Sequence, residues 1–158
     1  MSLQERVQTD IAAAMRSGDS LRRDTLRMVA SAAYNVEKRD GHPLSDAEYL
    51  AVIAREVKTR RESVDAFRKG GREDLVARET AEIEIISAYL PAALTDDELQ
   101  ALVDEAVTAT GATSPRDMGK VMGWLSPRTK NRADGRHLSE LVAKALASAD
   151  LAAHDQAH

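Results

Sequence analysis

Three times in this chain a serine or threonine is followed three residues later by glutamate, at the head of a run of apolar residues: Ser2 with Glu5, Ser45 with Glu48 and Thr95 with Glu98. In such a pair the hydroxyl and the carboxylate each satisfy one of the orphan N–H groups at a helix start, so each pair predicts where a helix begins. The apolar residues that follow recur at three and four, which is helix spacing. Leu3, Val7, Ile11 and Met15 form one such stripe, closed by Gly18. A second helix starts near Ser20, carries Leu21, Thr25, Met28, Val29, Ala32 and Val36 on one face, and stops before Gly41 and Pro43. The third runs from Ser45 to the Gly70-Gly71 pair. The fourth, from about Glu73, holds Val76, Ile83, Ile86 and Leu90 until Pro91. Only 3% of residues are aromatic, and strands draw on aromatic and β-branched side chains, so sheets are excluded as the main architecture. Four helices with short turns predict an antiparallel bundle over residues 1–93.

A second domain is predicted over residues 94–150. Thr95 opens a helix with Leu99, Leu102, Val103, Ala106 and Val107, which stops at Gly111. Ser114, Pro115 and Asp117 open the next, with Met118, Val121, Met122 and Leu125 ahead of Pro127. The last helix starts near Arg136 and carries Leu138, Leu141, Val142, Ala145 and Leu146. The fold class is therefore all-α, a four-helix domain followed by a three-helix domain, with residues 151–158 read as a frayed tail.

The 158 residues contain no cysteine and no long apolar run, so neither a disulfide scaffold nor a membrane span is expected, and the reading is a cytoplasmic protein. No nucleophile elbow, zinc helix or phosphate-binding loop occurs, and no catalytic residue, cofactor or metal is assigned. His154 and His158 have the spacing of a metal pair, but they sit in the tail. Two basic groups, Arg22, Arg23 and Arg27, and the run between Arg55 and Arg72, have acidic neighbours with which to pair at the surface. One irregularity lies in the first domain. Arg60 and Glu79 interrupt their apolar stripes, and a fold-back about Gly70-Gly71 would bring the two charges together; the alternative is an arginine that snorkels to water.

The stretch DMGKVMGWLSPRTKNRADGR is the most informative. From Arg116 to Arg136 it carries a net charge of +4 in a chain whose total is -4. Gly119 and Gly123 lie on one side of a predicted helix, where each costs about 1 kcal/mol relative to alanine. The bare strip either packs closely against another helix or lets an external sugar-phosphate chain approach the backbone. Trp124 either caps the small core or stacks on a base. Lys120, Arg128, Lys130, Arg132 and Arg136 lack enough nearby acids to neutralise them and suit backbone phosphates.

REVKTRRES, AYLP, DMGKVMGWL and RADG together resemble the GatB/YqeY family across nearly the whole chain. The resemblance implies a second domain similar to the tail of the B subunit of the tRNA-dependent amidotransferase, which forms Gln-tRNA or Asn-tRNA from the mischarged acids. It implies that Gly119, Lys120, Gly123 and the turn Arg132-Ala133-Asp134-Gly135 face RNA, with Asn131 standing where the family has glycine. The expected function is a non-catalytic tRNA-binding protein in translation, with tRNA as partner and the amidotransferase or an aminoacyl-tRNA synthetase beside it; no DNA is expected. The alternative is a protein-protein adaptor. The family label also implies a carbon-nitrogen ligase with glutamine as nitrogen donor, for which the residues supply no site.

Overall fold

The computed structural model describes residues 1–156. It is all-α: seven α-helices and one short 3-10 turn, with no strand among the described residues. No described helix is long and apolar enough to cross a membrane. The chain divides into two compact units, Met1–Pro91 and Ala92–His158.

In the first unit α1 (Leu3–Ser17), α2 (Ser20–Asp40), α3 (Asp46–Lys69) and α4 (Glu73–Ser87) surround one core. Both predicted capping boxes form, Ser2 with Glu5 and Ser45 with Glu48, and Gly18 closes α1 at φ 75°, a left-handed cap that suits glycine. Asp46 accepts a bond from the Leu3 N–H at 2.9 Å, tying the starts of α1 and α3. Val7, Leu26, Ile53 and Ile86 are fully buried in the core, each stabilising the fold by about 1.5–3 kcal/mol. The fourth helix ends earlier than Pro91 requires. After Ser87 the chain tightens, with Tyr89 and Leu90 N–H groups bonding three residues back to Ile86 and Ser87. That turn brings the Tyr89 hydroxyl to Asp10, while the Arg6 guanidinium lies 4.7 Å from the Tyr89 ring.

Arg60 is buried and does not snorkel to water, but its partner is not Glu79. Its Nε meets Glu82 at 3.2 Å and its Nη1 meets Glu56 at 2.7 Å. Glu82 lies four residues before Ile86, so it shares the inward face of α4. Glu79 is a half-buried neighbour of this cluster. Its carboxyl is held above the usual range by burial and then by the Glu82 charge, against a smaller opposing effect of Arg60.

In the second unit α5 (Asp96–Thr110), the 3-10 turn Pro115–Asp117, α6 (Met118–Thr129) and α7 (Gly135–Gln156) enclose Leu99, Val103, Val121, Leu125, Leu138, Val142 and Leu146. Two boundaries differ from the sequence reading. Pro127 does not stop α6 but sits in its last turn, and α7 continues past Leu151, where a frayed tail was expected, to Gln156. The carbonyls around Pro127 are met by side chains: Ser126 Oγ on Met122 O at 2.8 Å, Arg128 Nη1 on Trp124 O at 2.6 Å and Thr129 Oγ1 on Leu125 O at 3.0 Å.

Candidate functional site

The outer face of α6 is set by its period. Val121, Leu125 and Thr129 are buried against the core, so Gly119, Lys120, Gly123 and Pro127 lie on the opposite, exposed side. A Cβ built on either Gly119 or Gly123 meets nothing within 4 Å. The strip is open, and no helix of the unit uses it for close packing. Pro127 has no N–H, so the Gly123 carbonyl lacks the donor that the residue four places on would otherwise supply.

The flanks carry positive charge. Lys120 is largely exposed and lies 3.9 Å from Asp117. Asp117 has its own task, because its carboxylate accepts from the Thr113 and Ser114 N–H groups. Those bonds, the Thr113 one foremost, hold its pKa below the usual aspartate value. Trp124 is half-buried against the unit core, and the Arg128 guanidinium stacks over its ring at 3.6 Å. Of the two alternatives for Trp124 the core contact is present, and the ring also carries the Arg128 cation. Lys130 ends α6 in exposed backbone.

The RADG turn does something else. Arg132 points back into its own unit, its Nε donating to Ala92 O at 3.2 Å and its carbonyl accepting from the Leu94 N–H at 2.8 Å. Asp134 stands at the start of α7, its carboxylate accepting from the His137 N–H at 3.4 Å. Asn131 takes φ 62°, a left-handed conformation that asparagine tolerates better than most residues. Gly135 opens α7, and Arg136 is exposed on its first turn. The ten residues marked by sequence thus separate: Gly119, Lys120, Gly123, Trp124 and Arg128 share α6, whereas Arg132 and Asp134 build the turn.

One group escaped the sequence reading. Asp40, His42 and Glu48 bring ligand atoms within 4.8 Å of one another at the α2–α3 junction, all three exposed. Asp40 is already engaged by Arg39 at 2.9 Å, and the His42 ring bonds Pro43 O. The signal was the D-x-H spacing across Gly41, with Glu48 brought back by the capping box. Of the His154 and His158 pair, His158 lies outside the described residues.

Comparison with known proteins bears on the whole chain. The family described as Yqey-like protein matches residues 4–146. A protein of Pyrenophora tritici-repentis named "Altered inheritance of mitochondria protein 41, mitochondrial" is 29% identical over 140 residues, covering 87% of this chain and 77% of that protein. Its namesake in Kluyveromyces lactis is 32% identical over 126 residues, covering 76% and 67%. These names overturn several expectations. The relatives are called mitochondrial proteins, which conflicts with a cytoplasmic protein, and they are not named as tRNA-binding, amidotransferase-related, translational or ligase proteins. The physical reason for the error is that basic residues on a helix and turn are equally at home in phosphate contacts and in caps, as Arg132 demonstrates. With its match spanning nearly the full length, the chain belongs to the YqeY-like family.

Proposed function

We propose that this chain performs the task of the mitochondrial proteins it resembles, and does so by binding: a partner polypeptide lies along the outer face of α6. The observation that carries this reading is the open strip at Gly119 and Gly123. Two glycines in an exposed helix cost about 2 kcal/mol together relative to alanine, and packing within the unit offers no return for them. A partner backbone or helix approaching within contact distance of the strip does. Lys120 with the Arg128–Trp124 stack favours acidic and apolar side chains on the partner. We also take the two units to be separately folding domains of four and three helices, a reading supported by their separate apolar cores.

The test separates stability from function. Gly119→Ala with Gly123→Ala should raise stability by about 1–2 kcal/mol, because the new methyls meet open space and alanine favours helix. Gly119→Leu with Gly123→Leu should leave the fold intact and block approach. Each variant, delivered to mitochondria of Kluyveromyces lactis lacking its own relative, is scored for mitochondrial inheritance. We expect the wild-type chain to restore inheritance and the leucine variant to fail while melting no lower than wild type. A fully active leucine variant refutes the α6 reading, and a wild-type chain that restores nothing refutes the shared task. Salt-dependent RNA binding abolished by the leucine pair would assign the face to nucleic acid instead.

A further inference from the structure

The first unit exposes large apolar side chains that its own core does not use. Between α1 and α2 runs an open cleft of about 650 Å³, floored by Ile11, Ala12 and Ala30 and edged by Met15 and Tyr34. Met15 is 54% and Tyr34 60% exposed. The Tyr34 ring has Lys38 of its own helix 6.0 Å away. At the Met15 end lies Arg27, the one charged residue lining the cleft among the described residues. Its guanidinium rests on the Met15 thioether at 3.4 Å, whereas the neighbouring Arg22 and Arg23 meet Asp19 and Asp24.

We propose that the α1–α2 cleft is a docking groove for an amphipathic helix of a partner polypeptide, seated on Met15 and Tyr34 and bringing a carboxylate to Arg27. The lining runs from Gln8 to Met15 on one helix and from Arg27 to Asn35 on the other. At 1.5 Å per residue that is about 12 Å, or two helical turns, which suits anchors at i, i+3 or i+4 and i+7. Methionine adapts its shape to such anchors, and tyrosine loses little freedom when covered. Charge selects the partner. A thioether is a weak acceptor for a guanidinium, so a carboxylate that replaces it gains a charge-assisted bond, whereas a basic anchor meets repulsion. A second copy of the chain is disfavoured on the same ground, since an isologous contact over this groove brings two Arg27 side chains to one interface. The proposal is independent of the α6 face.

The probe is a pair of synthetic amphipathic peptides of about sixteen residues, identical in their leucine anchors and differing in one terminal-turn residue, glutamate or lysine. Each is titrated into the full-length isotope-labelled chain while amide shifts are followed. We expect the glutamate peptide to shift amides of the cleft and to bind about fivefold tighter than the lysine peptide. Arg27→Glu should reverse that preference, and Tyr34→Glu should remove binding of both with the melting temperature unchanged. Both sites are exposed, so folding is spared; if Tyr34→Glu lowers the melt, the Arg27→Glu reversal decides alone. Equal affinities, a preference that survives Arg27→Glu, or no shift in the cleft at about millimolar peptide overturns the proposal. So does a concentration-dependent dimer that Tyr34→Glu dissolves, which gives the groove to a second copy.

Discussion

Replacing Arg60 by methionine should be among the most damaging single changes in the first unit, and its cost should be largely relieved by a second change. The Arg60 side chain is 9% exposed and that of Glu82 6%. With Arg60 gone, Glu82 keeps only Arg78, an exposed side chain at 3.8 Å. An uncompensated buried charge costs about 3–5 kcal/mol, which for a unit of this size corresponds to a fall in melting temperature of roughly 12–40 °C. Glu82→Leu alone should cost less, about 1–2 kcal/mol, because Arg60 still holds Glu56 at 2.7 Å. In the double variant Arg60→Met with Glu82→Leu, Glu56 is the one member of the Arg60 ion pairs that remains, and its side chain, 24% exposed, reaches water. We expect the pair to lose about 1 kcal/mol or less, giving a coupling of at least about 3 kcal/mol in a denaturant-based double-mutant cycle. Additive losses within about 0.5 kcal/mol would refute the reasoning. So would a larger coupling with Glu79, the partner that spacing alone suggested.

Glu79→Gln should stabilise the protein at pH 7. The folded carboxyl lies above its ordinary 4.5, so folding favours its protonated form; that contribution is complete below the ordinary value and is lost as pH rises through the raised one. The advantage of the glutamine variant should therefore vanish in melts below about pH 4. Tyr49→Phe should raise stability by about 1 kcal/mol in urea unfolding, because the buried hydroxyl makes no hydrogen bond; a loss would reveal a partner for it. Asn131→Val should cost about 1–2 kcal/mol and Asn131→Gly should be neutral or favourable, since φ is 62° there; equal losses in both would show that the asparagine side chain, not the backbone, matters.

Local chemistry was the legible part of this fold. Ser2, Ser45 and Thr95 announce their helices because a cap is satisfied within three residues, with no help from the rest of the chain. Arg60 announced in the same way only that a charge stood in a stripe, leaving burial or snorkelling to water open, and the packing decided for burial. Its partner was not announced, because a period of 3.6 places Glu79 and Glu82 on overlapping faces and only the packing of α3 against α4 selects between them. Pro127 misled for the converse reason: in the last turn of a helix a proline removes only one backbone bond, here the one to the Gly123 carbonyl, so the helix runs on to Thr129. The openness of Gly119 and Gly123 was beyond local reading, since it depends on no other helix crossing that face. The attachment of Arg132 was equally beyond local reading, because its acceptor, Ala92, lies 40 residues away in sequence.

That long-range attachment has a consequence for hydrogen exchange. The Leu94 N–H bonds to Arg132 O across the junction between the entry to α5 and the turn before α7. It precedes its helix, where an amide would ordinarily trade its proton with solvent during every fraying event. Here it can do so only when the 130s turn lets go, and that turn is pinned by the Asn131 backbone, the Asp134 cap and the Arg132 side chain. Leu94 should accordingly exchange with the slow amides of Val103 and Val142, as a single-site reporter of when the whole second unit opens.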